Sequence, residues 1–205
     1  MRSKVLFIPV LILFMTGCMS AQPPSRTQYF VLDYVSPGIK DTVRLDESLK
    51  VERFSVAQFY NSNSMIFRTG SIDLDKFPHD RWGANPGYMV ADYLIRDFRQ
   101  TGLFRGIFSY QDTDVVRFLL EGSITEFLAV EQKDGRKALL TIYVTLLDLN
   151  QTDGTKQVVF QKSYSRASPC KESSAEGLAT GLSESLERLS GQIISDVYQA
   201  VKSRS

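Results

Sequence analysis

The chain has 205 residues, of which 43% are hydrophobic, and it carries 24 Lys and Arg against 23 Asp and Glu. This length is enough for one domain with a substantial hydrophobic core. Because the charges nearly cancel and form no basic cluster, the composition argues against nucleic acid, or a lipid surface bound by charge, as the partner.

The first eighteen residues have the pattern of a bacterial lipoprotein signal. Two basic residues precede an apolar run of eleven residues, 5–15, which is shorter than the roughly 20 residues that a membrane-spanning helix needs. Residues 15–18, MTGC, resemble a lipobox, although methionine stands where leucine is usual. We expect residues 1–17 to be removed and Cys18 to carry an S-diacylglycerol and an N-acyl chain. The alternative is an ordinary secretory signal with an unrelated cysteine.

Residues 18–27 form a short polar tether with two consecutive prolines. A proline-rich tether extends about 3.1 Å per residue, so this one spans at most roughly 30 Å and holds the body close to its membrane. Met19 and Ser20 follow Cys18, and neither is the aspartate that retains enteric-type lipoproteins at the inner membrane. The sequence therefore predicts a lipid anchor in the outer membrane, on its periplasmic face.

The second cysteine, Cys170, has no intrachain partner if Cys18 is acylated, so we expect no structural disulfide. It lies in a turn-like stretch, SPCK at 168–171. We interpret it as an incidental thiol, with a bridge to another molecule as the alternative.

The body, residues 28–205, is predicted to be one domain that begins with strands. Alternating side chains favour strands at 28–34 and 49–56, and a hairpin of 64–68 with 72–77 around Gly70. A strand at 106–110 precedes a meander of 116–132, 138–149 and 156–165, whose turn signals are Asp-Gly pairs at 134–135 and 153–154. The half-buried pattern of the middle strand predicts an antiparallel sheet with helices on one face.

Two helices are expected to cover this sheet. The first, 86–101, starts with Asn85 as its cap and Pro86 at its first position, and it ends at Gly102. The second, 174–202, carries leucines at three- and four-residue steps and would close the core. Its GxxxG stretch, 177–181, is interpreted as loosely packed first turns. The predicted fold class is α+β, with two helices packed on a largely antiparallel sheet.

Residue patterns for catalysis, metal binding or nucleotide binding are missing from the sequence. His79 is the sole histidine and is expected in a loop that enters the first helix. There is no HExxH, GxSxG or phosphate-binding GxxxxGK[ST] pattern. Asp73 and Asp75 are read as solvated acids. We therefore predict a protein that is not an enzyme and has no metal or cofactor.

Several segments together carry a family resemblance. They are YFVL at 29–32, LKVERFSV at 49–56, MIFR at 65–68, MVADYL at 89–94 and TGLF at 101–104, with Tyr60, Trp82 and Pro86. In these segments and in its lipobox the chain resembles the ABC-type transport auxiliary lipoproteins, the PqiC-like family. The specific part of the resemblance lies between residues 49 and 104.

The resemblance implies a function beside partner proteins. Family members work with MCE-domain proteins of the MlaD or PqiB type and with ABC transporter or permease components, which move phospholipids between the two membranes. Because MCE assemblies are rings, a matching homo-oligomer is expected. One alternative is an accessory lipoprotein that assembles a secretion or lipopolysaccharide-export complex, and another, disfavoured, is a small-ligand binder.

The segment 59–82 is the richest source of apolar side chains for a docking surface. Its candidates are Tyr60, Met65, Phe67 and Phe77. The alternative is that these four side chains fill the core beneath the hairpin.

Overall fold

The computed structural model describes residues 26–39 and 43–204. Within these residues the chain forms one mixed sheet and two long helices around one hydrophobic core. The strands are β1 (Gln28–Phe30), β2 (Leu45–Val51), β3 (Ser55–Val56), β4 (Ser64–Arg68), β5 (Leu74–Trp82), β6 (Phe104–Ser109), β7 (Phe118–Gln132), β8 (Gly135–Asp148) and β9 (Val158–Pro169). The helices are α1 (Pro86–Thr101), the four-residue α2 (Gly154–Gln157) and α3 (Ala175–Lys202). The α+β class is confirmed.

Strand β7 organises the sheet. It is 15 residues long and pairs with β8 in antiparallel fashion from end to end. Its other edge pairs in parallel with three short strands in succession, β2 at 118–120, β3 at 123–124 and β4 at 129–130. Because each short strand pairs with a different stretch of β7, that one strand fixes the order and level of all three.

The predicted meander and hairpin are both present. Antiparallel pairing joins β4 to β5, β7 to β8 and β8 to β9. Gly135, the first residue of β8 after the tight turn, adopts a φ of 116°. That φ is readily adopted only by glycine. The parallel pairs, which also include β1 with β5 and β2 with β6, are not anticipated by the sequence patterns.

Four predicted strands have bounds that differ clearly from the observed ones. The last, predicted at 156–165, is β9 (Val158–Pro169), and residues 154–157 before it form α2. Strand β1 ends at Phe30 rather than at residue 34, because the chain then leaves the sheet to cross the helices. The predicted strand 49–56 is divided into β2 and β3, and the break contains the buried ring of Phe54. Strand β5 extends to Trp82, so His79 lies in an exposed strand position and not in a loop.

Helix α1 has the predicted bounds and caps. The Asn85 side chain accepts a hydrogen bond from the Gly87 backbone N–H at 2.9 Å, which satisfies one of the helix's free donors. Gly102 ends the helix with a φ of 65°. Leu94 and Phe98 on the apolar stripe are fully buried.

Helix α3 starts after Ser174, whose hydroxyl accepts from the Gly177 N–H at 3.0 Å. The predicted stripe is buried along its length: Leu178, Leu182, Leu186, Leu189, Ile193 and Val197. A Cβ at Gly181 would lie 2.7 Å from the Cβ of Ala138 on β8. The interpretation of 177–181 as loosely packed is therefore wrong, because glycine there permits close contact between helix and sheet.

A buried ion pair closes the end of the sheet where β7 begins. The Arg117 guanidinium donates to both oxygens of the buried Asp148, at 3.1 and 3.0 Å, and to Glu47 at 2.7 Å. It also donates to the backbone oxygen of Arg204 after α3. The hydrogen bonds from Arg117 hold the pKa of Asp148 below its usual range although burial opposes this. One side chain thus joins β2, β7, β8 and the end of the last helix.

Neither long helix of the described chain contains an apolar stretch of the length that a membrane span requires. The predicted signal, residues 1–17, and Cys18 lie outside the described residues.

Truncation of Leu94 is expected to destabilise the fold. Leu94→Ala removes a fully buried side chain of α1 and should lower the free energy of unfolding by roughly 2–5 kcal/mol. Urea unfolding monitored by circular dichroism measures this. Leu149→Ala, at a partly exposed leucine, is the control and should change stability far less. Equal unfolding midpoints for the two variants would contradict the packing described.

Candidate functional site

The polar residues considered in the sequence are dispersed over the described surface. Among the described residues, no group of three or more His, Cys, Asp and Glu converges as metal ligands would. His79, Asp73 and Asp75 are all exposed. The features that bear on function are instead the segment that follows the tether and an exposed aromatic surface.

Residues 31–39, here called the strap, join β1 to the helical face of the molecule. The strap begins after Phe30, whose backbone oxygen accepts from the Gly83 N–H at 2.7 Å. The Asp33 N–H then donates to the Ser183 hydroxyl of α3 at 2.9 Å, and the Tyr93 hydroxyl of α1 donates to the backbone oxygen of Leu32. The strap is therefore hydrogen-bonded to both long helices.

A buried carboxylate lies beneath the strap. Asp97 of α1 is fully buried, and its Oδ2 accepts hydrogen bonds from the Tyr34 hydroxyl at 2.7 Å and the Ser190 hydroxyl at 2.6 Å. Its Oδ1 accepts two from Arg96, at 2.9 and 2.7 Å. A buried charge is tolerated only with such partners. Asp97 thereby ties the strap, α1 and α3 to one point.

The guanidinium of Arg96 strengthens this junction. It lies 4.5 Å from the ring centroid of Tyr34 and 4.4 Å from that of Tyr93, which stack on each other at 5.1 Å. It also donates to the Tyr34 backbone oxygen at 3.1 Å. Such cation–π contacts contribute roughly 0.5–2 kcal/mol each. Burial, followed by the charge of Asp97, raises the pKa of Tyr34 well above the ordinary tyrosine value, so the phenol keeps its proton to a higher pH than an exposed tyrosine does.

An exposed aromatic surface lies on the other side of α1. We call it the tyrosine surface: Arg53, Tyr88, Asp92 and Tyr110. Arg53 donates to the Tyr88 hydroxyl and lies 4.5 Å from its ring centroid. The Tyr88 and Tyr110 rings are 5.9 Å apart, and the Tyr110 hydroxyl donates to Asp92 at 3.2 Å.

The tyrosine surface continues into an open groove of about 600 Å³ between α1 and the end of β6. Arg96 and Arg99 line it together with Tyr110. Tyrosine and arginine are the residue types that most often dominate the energy of protein interfaces, since they combine large apolar area with polar groups. The arrangement is thus suited to docking a protein partner.

The four docking candidates taken from the sequence do not form this surface. Tyr60, Met65 and Phe77 are buried. Phe67 is partly buried and lies edge-on to Phe77, with ring centroids 5.0 Å apart. These side chains fill the core beneath the hairpin, so the docking hypothesis for them is wrong.

Sequence reasoning missed both functional features, although each has a local signal. Tyr88 is an aromatic residue outside the apolar stripe of its helix, and it is 36% exposed. Asp97 is the opposite case, a charged residue three positions after Leu94 on the buried face. A residue on the wrong face for its polarity is the common signal.

Of the two cysteines, the structure describes Cys170 and not Cys18. Cys170 is half-buried and unpaired within the described residues. Burial raises the pKa of its thiol to about 11, which keeps it protonated and weakly nucleophilic at neutral pH. Cys18, the expected lipid attachment site, is not among the described residues.

Most of the chain matches one known protein family. The model of the family described as "ABC-type transport auxiliary lipoprotein component" matches residues 31–194. No curated protein matches the sequence.

Solved structures share the fold. A Xanthomonas campestris protein of the DUF330 family superposes with a TM-score of 0.78 at 13% identity, over 87% of this chain and 98% of that one. A hypothetical protein from Chlamydia trachomatis gives a TM-score of 0.53 at 9% identity, over 77% of this chain and 98% of its own. At these identities the likeness concerns the fold alone.

Removal of the Tyr34 hydroxyl is expected to weaken the strap junction in a pH-dependent way. Tyr34→Phe loses a hydrogen bond to a buried carboxylate and should lower the free energy of unfolding at pH 7 by roughly 1.5–3 kcal/mol. Above about pH 10 the unfolded wild-type chain releases the phenol proton while the folded chain retains it. The difference in the free energy of unfolding between the wild type and Tyr34→Phe should therefore shrink as the pH rises beyond 10.

Urea unfolding at pH 7, 9 and 11 tests this expectation. Tyr29→Phe is the matched control, since Tyr29 is 70% exposed and its substitution should change little at any pH. A gap between wild type and Tyr34→Phe that stays constant to pH 11 would exclude the proposed bond.

Proposed function

The chain belongs to the ABC-type transport auxiliary lipoprotein family, and on that premise we propose that it is a lipid-anchored, non-catalytic adaptor. Its lipid is attached at Cys18, and its body stands at the periplasmic face of the outer membrane. There it docks an MCE-domain protein whose ABC transporter or permease moves phospholipids between the membranes. The protein itself supplies position and not energy.

The observation that carries this proposal is the strap. The chain that leaves the lipidated tether enters the body at β1 and is then fixed to both long helices through Leu32, Asp33 and Tyr34. A tether that only limited diffusion would not need such a junction. In the proposed adaptor, this junction with its buried carboxylate would fix the point at which the anchored segment joins the rigid core.

The tyrosine surface is the proposed docking site for the MCE-domain partner. Tyr88 and Tyr110 present aromatic area, and Arg53 is held by Tyr88 in an exposed position. The adjoining groove adds the side chains of Arg96 and Arg99, whose charges are already met by Asp97 at 2.7 Å and Asp112 at 3.9 Å. A homo-oligomer would repeat this surface around a ring and match the symmetry of an MCE assembly.

Substitution of the anchor cysteine tests the lipid attachment. Cys18→Ser should leave unprocessed precursor and abolish labelling by a clickable fatty acid in cells, because the acylated atom is gone. Cys170→Ser is the matched control and should be labelled like the wild type. Equal labelling of Cys18→Ser and the wild type would overturn the lipid-anchor proposal.

Substitution of Tyr88 tests the docking site. Tyr88→Ala should weaken binding of the MCE-domain protein about tenfold, the loss expected for one interface hot spot of about 1.4 kcal/mol. Pull-down from native membranes with quantitative mass spectrometry measures the recovery. Tyr143→Ala, at a tyrosine 40% exposed on β8, is the control and should retain the partner.

Two results would contradict the docking proposal. Equal recovery of the MCE-domain protein with both tyrosine variants would place the docking site elsewhere. Recovery of a secretion or lipopolysaccharide-export complex with no MCE-domain protein would favour the alternative function instead.

A further inference from the structure

The strand directions show which end of the body the tether approaches. Strand β4 runs parallel to β7, β5 runs antiparallel to β4, and β1 runs parallel to β5. Followed backwards from Gln28, the chain therefore heads toward the end where β7 finishes. We call this the proximal end; it holds the β4–β5 turn, 69–73, and the β7–β8 turn, 133–134. The distal end holds the loop 110–117 before β7.

Distances along the strands locate the start of the tether between the ends. Through β5, Gln28 lies at about the level of Ser64 on β4, because Gln28 pairs with Asp80 and Ser64 pairs with the next residue, Arg81. Arg68, four residues or about 13 Å further along β4, pairs with Val130 near the end of β7. Gln28 is therefore about 13 Å from the level of Val130. Phe118, where β7 begins, is about 40 Å from Val130 at the rise of an extended strand. The tether thus starts about twice as far from the distal end as from the proximal end.

The length of the tether then favours one orientation. Ten residue steps separate Gln28 from Cys18, and ten extended residues span about 33 Å. The turns of the proximal end lie two to three residues beyond this level, so about two thirds of this reach takes the chain past them, in the direction in which it already runs. Reaching a membrane beyond the distal end requires a reversal and nearly all of the reach.

One apolar side chain stands at the proximal end in a position to enter a membrane surface. Ile72, in the β4–β5 turn, is 86% exposed, and Leu74 beside it is partly exposed. The charges at this end are of both signs. Asp73 and Asp75 lie near Lys76, and at the β7–β8 turn Lys137 pairs with Asp134 and Arg136 with Glu131, beside Lys133. A contact made here is therefore apolar rather than electrostatic, since no basic cluster attracts anionic lipid.

We infer that the proximal end is the membrane-facing surface of the body, and that Ile72 enters the interface of the lipid bilayer that holds the anchor. This inference rests on the lipid anchor at Cys18 proposed above. The tyrosine surface then stands clear of the bilayer. Arg53 lies between Val51 and Ser55, which pair with Leu120 and Ser123 of β7, about 25–30 Å from Val130.

An environment-sensitive fluorophore at position 72 tests the orientation. Acylated full-length protein carrying Cys170→Ser and Ile72→Cys is labelled with NBD on the introduced thiol, because the sulfur of Cys18 is a thioether when acylated. The protein is reconstituted on vesicles of phosphatidylethanolamine and phosphatidylglycerol. Val115→Cys is the matched control, since Val115 is 98% exposed at the distal end.

For the probe at position 72, we expect the fluorescence emission to shift to the blue and to be quenched by spin-labelled lipid, and both effects should persist in high salt. The probe at position 115 should show neither effect. Vesicle-bound protein with effects at 115 alone, at both positions or at neither would overturn the inference. Flotation is measured in the same samples. If the acylated protein does not float with the vesicles, the anchor proposal fails, and this inference fails with it.

Discussion

The fold depends on the pairing of one strand. Strand β7 is hydrogen-bonded along both edges, to β8 over its full length and to β2, β3 and β4 in three separate stretches. A slip of one residue in β7 would turn its buried side chains, such as Phe127 and Leu120, toward the opposite face. Every other strand except β1 meets β7 directly or through one neighbour, and β1 is joined to it through β5 and β4. The helices then cover the face that this register makes apolar.

Burial of the Asp97 carboxylate costs free energy unless it is hydrogen-bonded. This carboxylate lies where the strap, α1 and α3 meet. A buried carboxylate loses hydration worth several kcal/mol, and here four short hydrogen bonds compensate it. An apolar residue would fill the same space without specifying which strap residue lies above it. The carboxylate accepts one hydroxyl from the strap and one from α3. It therefore selects a single position for the strap, the segment that follows β1, as the proposed lipid-anchored adaptor would require.

The functional features are arranged along the axis of β7. Strand β1, followed backwards, points toward the end where β7 finishes, whereas the Arg117–Asp148 ion pair closes the other end. The tyrosine surface lies between them on the flank, where the start of α1 meets the end of β6. The proposed anchor at one end and the proposed docking surface on the flank would let the body hold a partner at a set distance from its membrane. That arrangement needs stiffness and not a pocket, and the described residues offer grooves rather than enclosed cavities.

The sequence by itself determined the local elements and the family. Helix α1 followed from Asn85, Pro86 and Gly102, and the meander followed from alternation and its Asp-Gly turn, because caps, turns and periodicity act between near neighbours. The tertiary structure alone decided the parallel pairing on β7, since strands from 45 to 68 meet it across more than sixty residues of chain. It alone decided that Phe67 and Phe77 pack inward while Tyr88 stays exposed. The hydrophobicity of a side chain predicts that its burial is favourable. Which apolar side chains are in fact buried depends on how the strands and helices pack together.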